Sequence, residues 1–202
     1  AAYRNRRDPL GRPRDTAPVG ASGPDDPTAF YTGIVAELYG PLRGAGAPDA
    51  APYAAFVRRS GEPALELGCG DGDPLLDLCA AGLHVEGLDS SPDMLERCRR
   101  RAAARHLDVV LHERSMTDIG IGRRFRAIYL AGPTFNLLPD DDTAAAALAS
   151  IAAHLADDGT ALVPLFVPEP TPAAQLGAPR RHRTTEGIEM AVCAVAEAYD
   201  VA

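Results

Sequence analysis

Lysine and tryptophan are absent from the 202 residues, and every one of the 20 basic side chains is arginine. Together with abundant alanine, this resembles the coding bias of a GC-rich genome and carries no chemistry by itself. Positive charge is in deficit: 28 acidic residues against 20 basic ones leave a formal net charge of −8. A phosphate backbone needs a concentrated basic surface, so nucleic acid is not an expected partner. The four cysteines, Cys69, Cys79, Cys98 and Cys193, show no C-x-x-C pair and no metal-ligand spacing, so reduced thiols and no metal are expected. No apolar run is long enough to cross a bilayer and no leader pattern is present, so no membrane partner is expected, and the cytoplasm is the expected location.

What the chain does have is glycine at a particular spacing. Ala64 to Leu67 reads as a short apolar strand, followed by Gly68, Gly70 and Gly72, and an apolar run resumes at Leu75-Leu76. Strand, glycine turn and helix in this order bring backbone N–H groups up to a ligand at a helix N-terminus. A second apolar run, His84 to Leu88, is followed by Asp89, about 20 residues after the glycines, where an acid commonly accepts hydrogen bonds from ribose hydroxyls. A nucleoside-bearing cofactor is implied. The dinucleotide pattern G-x-G-x-x-G would need its third glycine at position 73, where Asp73 stands.

The pattern present, Glu66-Leu67-Gly68-Cys69-Gly70-Asp71-Gly72, closely resembles motif I of the class I S-adenosylmethionine (SAM) methyltransferases. That cofactor has no pyrophosphate to cradle and carries a sulfonium, so an acid near the loop is tolerated or useful. The resemblance implies that Glu66 helps hold the cationic methionine end, with Gly68, Cys69 and Gly70 forming the loop against the cofactor. Asp89-Ser90-Ser91-Pro92-Asp93-Met94-Leu95 matches the family's D-x-S-x-x-M-L block, implying Asp89 and Ser90 at the ribose and Met94 on the adenine. A core methionine at helical spacing is the competing reading of Met94. In Arg114-Ser115-Met116, the family's usual acid before the methionine is replaced by Ser115, which leaves Met116 to carry more of the adenine contact. The fourth strand ends at Leu130-Ala131, both expected beside the cofactor. Gly132-Pro133-Thr134-Phe135 follows, unlike the [D/N/S]-P-P-[Y/F] tetrapeptide of base methyltransferases and more like small-molecule enzymes. Phe135 and Asn136 are the candidate substrate contacts there, with loop packing as the alternative.

The implied fold is α/β: a Rossmann-like class I methyltransferase with a mostly parallel central sheet flanked by helices. Residues 1–27, rich in Arg and Pro, are expected to be a disordered arm. Residues 28–202 are expected to form the domain: lid helices in 28–60, the core in 61–167 and a hairpin region in 168–202. Thr28 can cap a helix through Phe30, Tyr31, Ile34, Val35 and Leu38, stopped by Gly40-Pro41. Phe30-Tyr31 and Leu38-Tyr39 resemble the family's lid, which implies Tyr31 at the substrate and Tyr39 at the cofactor; packing at a domain edge is the alternative. After a Gly/Ala/Pro connection (44–52), the pattern predicts a helix over Tyr53–Arg59 and a helix from Pro74 closed by Gly82. It then predicts strands over His84–Leu88, Asp108–His112 and Arg126–Leu130, a helix to His154 capped by the acids at 140–142, and a strand over Thr160–Val167. A hairpin, Arg180–Thr185 with Ile188–Tyr199, ends the chain. The family's sheet has seven strands and at most six can be counted, so the C-terminal strands are expected to be incomplete.

The implied reaction is methyl transfer from SAM, with S-adenosylhomocysteine (SAH) as product, to a small molecule: an amine nitrogen of a secondary metabolite or amino sugar. A neutral amine needs no strong base, and the five histidines are scattered through the sequence. Two alternatives stay open, an O-methyltransferase and a SAM-binding, non-catalytic subunit of the same fold. An NAD-type dehydrogenase is disfavoured by the glycine spacing. Self-association into a homo-oligomer is also left open.

Overall fold

A computed structural model describes residues 31–33, 35–36, 39–40, 48–166, 172–183 and 189–192. The arm 1–27 lies outside these, as do Thr28, Phe30, Ile34, Leu38, Val167 and the hairpin turn.

Five strands form one parallel sheet: β1 (Ala64–Leu67), β2 (Val85–Asp89), β3 (Leu111–Glu113), β4 (Phe125–Leu130) and β5 (Leu155–Leu162). Their order is β3-β2-β1-β4-β5. The chain winds outward from β1 through β2 to β3, then returns to place β4 on the other side of β1. That reversal is a topological switch point, and open α/β sheets bind ligands in the crevice it leaves at the carboxyl ends of the strands. Central strands are covered on both faces, and all four residues of β1 are buried, Glu66 among them.

The helices are α1 (Ala50–Ser60), α2 (Leu75–Ala80), α3 (Pro92–Ala104) and α4 (Asp141–His154). Side chains alternate across the sheet, so Ala64, Val85, Ala127 and Tyr129 pack with Phe56, Val57, Leu75, Leu76, Leu95 and Cys98 from α1, α2 and α3. Leu65, Leu67, Leu88, Ile128 and Leu130 face the opposite way and pack with Ile119 and with Ile151 of α4. The helix starts follow their residues. Ser91 caps α3 by accepting from the Met94 N–H, Pro92 opens the helix, and Asp93 sits in the first turn. Asp140 caps α4 by accepting from the Thr143 N–H at 2.8 Å.

Three sequence boundaries are corrected. The third strand is Leu111–Glu113, later than the expected Asp108–His112, because only the Val110 carbonyl reaches β2, through the Gly87 N–H, before regular pairing begins. The fifth begins at Leu155 and ends at Leu162. Asp157-Asp158-Gly159, which precede the expected start at Thr160, form a bulge within it, where pairing steps from Phe125–Leu155 to Ala127–Thr160. The helix that precedes β1 begins at Ala50, where Asp49 caps it, three residues before the expected Tyr53. The hairpin exists as β6 (Arg180–Arg183) antiparallel to β7 (Glu189–Val192), but among the described residues it pairs with itself and adds no strand to the main sheet.

Gly87, in the middle of β2, marks where two layers meet most closely: a Cβ there would fall 2.6 Å from Leu75 Cδ2, 2.8 Å from Cys69 Sγ and 2.9 Å from Leu111 Cδ2. Gly87→Ala is expected to destabilise the fold by about 1–3 kcal/mol through overpacking. Thermal unfolding should then shift down by roughly 2–4 °C per kcal/mol, and an unchanged melting temperature would contradict this packing.

Candidate functional site

An open cleft lies at the carboxyl ends of β1, β2 and β3, with the segment after β4 as its far wall. Its empty space, open mouth included, is about 740 Å³. Nine residues singled out from the sequence line it together: Tyr31, Tyr39, Gly68, Gly70, Asp89, Ser90, Met94, Ser115 and Met116.

The floor is the turn after β1. Gly68 and Gly70 have φ of 67° and 53°, a left-handed backbone that only glycine adopts without strain. Gly68 also gives room to the far wall, since a Cβ there would lie 2.6 Å from Thr134 Cγ2. Asp89, at the end of β2, holds the turn: its Oδ2 accepts from the Gly70 N–H at 2.8 Å and its Oδ1 from the Ser91 N–H at 2.8 Å. Burial raises its pKa, and donation from the Ser91, Gly70 and Ser90 amides opposes that rise. Each carboxylate oxygen has a second lone pair, so the pair can still accept from a vicinal diol in the cleft.

Tyr31 and Tyr39 meet edge to face with ring centroids 5.5 Å apart. Their segment is fastened to the start of α3: Ser91 Oγ donates to the Tyr31 carbonyl at 2.6 Å and the Gly33 N–H donates to Asp93 Oδ2 at 2.7 Å. Burial, with Tyr39 and Asp89 beside it, raises the Tyr31 phenol above its ordinary value, so it stays protonated at neutral pH. The Ser115 hydroxyl is engaged with Thr117: it lies 2.7 Å from the Thr117 hydroxyl and accepts from the Thr117 N–H at 3.2 Å.

Six of the sequence candidates are not on the cleft wall. Leu130 is fully buried beneath the sheet, and Ala131 packs against the opposite core. Cys69 is buried, its N–H bonded to the Leu88 carbonyl and its thiol pKa raised far by burial. Phe135 turns inward to the core around Ile128 and Ile151. Asn136 spends its amide on main chain: Nδ2 donates to the Phe166 carbonyl at 2.9 Å and Oδ1 accepts from the Phe166 N–H at 3.0 Å. It anchors the segment after β5 instead of facing a substrate. Glu66 is completely buried, accepting from the Tyr129 hydroxyl at 2.6 Å, and its Oε1 has no hydrogen-bond partner. Glu66 points with Ala64 into the layer of α1, because β-strand alternation turns it away from the cleft.

Sequence reasoning missed Leu88, Arg114, Thr134, Leu137 and Leu138, which complete the lining. Thr134 and Leu137 belong to a short 3₁₀ turn (Thr134–Leu137) whose start is fixed by the Gly132 N–H donating to the Tyr53 hydroxyl at 3.0 Å. The only signal for them was proximity to the end of β4. Tyr53 in turn stacks on Tyr129, so the far wall is held through the same aromatic pair that covers Glu66.

Burial pushes the Glu66 pKa up to about 8. A carboxyl whose folded pKa lies above its unfolded value of 4.5 holds its proton through neutrality. Its contribution to stability is whole below the unfolded pKa and is lost as pH rises through the folded one. Glu66→Gln, which keeps the neutral shape, is therefore expected to match the parent near pH 5 and to exceed it in melting temperature above pH 8. Parallel pH profiles of the two proteins would contradict a buried, protonated Glu66.

The residues present fit SAM. The turn lets backbone approach, the diol-ready acid stands at its edge, and two tyrosine rings line the mouth. A Cβ at Gly70 would lie 3.2 Å from Met94 Cε, so a side chain there would crowd the cleft. Residues 64–159 match the family described as a methyltransferase domain. Over 151 residues the chain is 38% identical to a dTDP-3-amino-3,6-dideoxy-alpha-D-glucopyranose N,N-dimethyltransferase of Streptomyces fradiae, covering 71% of this chain and 58% of that protein. Among solved structures, a SAM-bound amino pentose methyltransferase from Micromonospora echinaspora is 30% identical with a TM-score of 0.57, covering 76% of this chain and 64% of that one. DesVI of Streptomyces venezuelae is 27% identical with a TM-score of 0.57, covering 75% and 64%. The chain thus spans 58% of that curated relative's length. Glycine turn, strand order and these matches agree, and over residues 64–159 the chain is similar to the class I SAM-dependent methyltransferases.

Proposed function

We propose that this chain carries the cofactor-binding core of an N-methyltransferase that acts on the amine of a small molecule, an amino sugar of secondary metabolism. The observation that carries it is the Asp89–Gly70 cleft, supported by relatives described as amino-sugar N,N-dimethyltransferases. In this reading Asp89 accepts from the ribose hydroxyls, with Ser90 beside it, and the Gly68–Gly70 backbone receives the methionine end. Met94, Ser115 and Met116 border the base.

When bound, the cofactor supplies a methyl group on a sulfonium, transferred by in-line displacement to the amine lone pair. The protein's part is to hold acceptor and donor in line and dry, which can supply roughly 7–11 kcal/mol of the barrier. Tyr31 and Tyr39 cover the cleft, and burial keeps the Tyr31 phenol protonated there. Thr134, Leu137 and Leu138 form the opposite wall, apolar except for one hydroxyl. Phe135 and Asn136 act behind this wall: Phe135 from the core, Asn136 through its grip on Phe166. An amine arrives protonated more often than not at neutral pH, and an apolar wall favours the neutral, nucleophilic form.

Incubation with SAM and a nucleotide-linked amino sugar should yield products heavier by one or two methyl groups by mass spectrometry. The matching sugar with a hydroxyl in place of the amine should stay unmodified. Methylation of the hydroxyl compound alone would replace this reading with O-methylation. SAM binding without turnover on any amine would leave a non-catalytic SAM-binding protein.

A further inference from the structure

The glycine turn contains two acids that the cleft does not use. Asp71 is buried with its side chain 5% exposed, and that of Asp73 is 10% exposed. Both are met by one residue, Arg101, from the third turn of α3. Its Nη1 lies 3.0 Å from Asp71 Oδ2 and donates to the Asp71 carbonyl at 2.9 Å. Its Nη2 donates to Asp73 Oδ1 at 2.6 Å. Three bonds from one guanidinium thus span both acids and the backbone between them.

Arg101 completes a stripe. Residues i, i+4 and i+7 share a helix face, and on α3 these are Met94, Cys98 and Arg101. Each meets the turn at a successive point. A Cβ at Gly70 would lie 3.2 Å from Met94 Cε, and one at Gly72 would lie 2.8 Å from Cys98 Sγ. Gly72, like Gly68 and Gly70, has a positive φ, here 101°. A turn with three such glycines has few side chains of its own to fix it and a large loss of chain entropy on ordering. The face of α3 supplies what the turn lacks: steric stops at two glycines and an ionic anchor between them.

We propose that Arg101 is a positioning residue for the cofactor. It holds the Gly68–Gly72 backbone in its ligand-ready shape and is the shared counter-charge of Asp71 and Asp73, leaving Asp89 as the acid that faces the cleft. Arg101 does not line the cleft, so its effect passes through the turn. This rests on the cofactor reading above and adds a residue outside either motif.

The test is calorimetric titration of SAH into the full chain, with melting temperatures measured alongside. Arg101→Gln strands two buried carboxylates and is expected to lower stability as well as affinity. The triple variant Asp71→Asn, Asp73→Asn, Arg101→Gln removes the anchor while restoring charge balance. The expected result is recovery of most of the melting temperature in the triple variant with SAH affinity still about tenfold or more below the parent, the cost of ordering the turn on binding. Recovery of affinity to within about twofold of the parent, at any stability, would make Arg101 a structural residue only and overturn the proposal. Arg101→Lys keeps the charge but not the fork, and decides if the other two do not fold. A loss of roughly threefold or more supports positioning, and an unchanged affinity overturns it. Failure of the parent itself to bind SAH would instead refute the cofactor reading.

Discussion

The hydrogen bond from the Gly70 N–H to Asp89 joins the two halves of the site. It ties the turn after β1 to the end of β2 at the sheet's switch point, and nearly every other feature of the cleft refers to one of its ends. The second Asp89 oxygen takes the Ser91 N–H, which seats the cap of α3. The Ser91 hydroxyl reaches the Tyr31 carbonyl, which seats the aromatic cover. A ribose diol bound at Asp89 would therefore sit at the junction of turn, helix and cover. Orientation of the carboxylate is already settled by backbone donors, so little reorganisation is left for binding to meet.

Charge follows the same plan. SAM is cationic at sulfur, and the cleft is lined by one acid, Asp89, whose pKa burial raises against the opposing donation of the Ser91, Gly70 and Ser90 amides. The other acids nearby are spoken for. Arg101 is shared between Asp71 and Asp73, and burial pushes the pKa of the Glu66 carboxyl, which accepts from the Tyr129 hydroxyl, up to about 8. Repulsion in the acid-rich turn is therefore reduced, and Asp89 is the acid that lines the cleft.

Much of this was legible in the sequence where chemistry and local geometry coincide. The glycine turn and the place of Asp89 on the cleft follow from the sequence because backbone approach demands glycine and an acid at a strand end borders the crevice. The helix opening at Pro92 obeys local rules, while the choice of Ser91 over Ser90 as its cap is made by the fold. The errors share another cause. Glu66 lies two residues before the glycines, and its direction is set by the pleat of β1, which turns it to the core. Leu130 and Ala131 at the end of β4 are likewise governed by alternation and packing. Asn136 looked like a substrate contact because a loop amide usually faces solvent or ligand. Its partner is the Phe166 main chain 30 residues away, a pairing no local pattern announces. Arg101 was invisible for the same reason, being one of three consecutive arginines until the fold sets it against the turn.

The most direct test is titration calorimetry of SAM, and separately of NADH, against the purified chain and against Asp89→Ala. The account predicts one SAM site in the parent, affinity reduced by about tenfold or more without the carboxylate, as expected for loss of charged hydrogen bonds to a diol, and no NADH binding. SAM affinity unchanged by Asp89→Ala, or NADH binding in place of SAM, would contradict it.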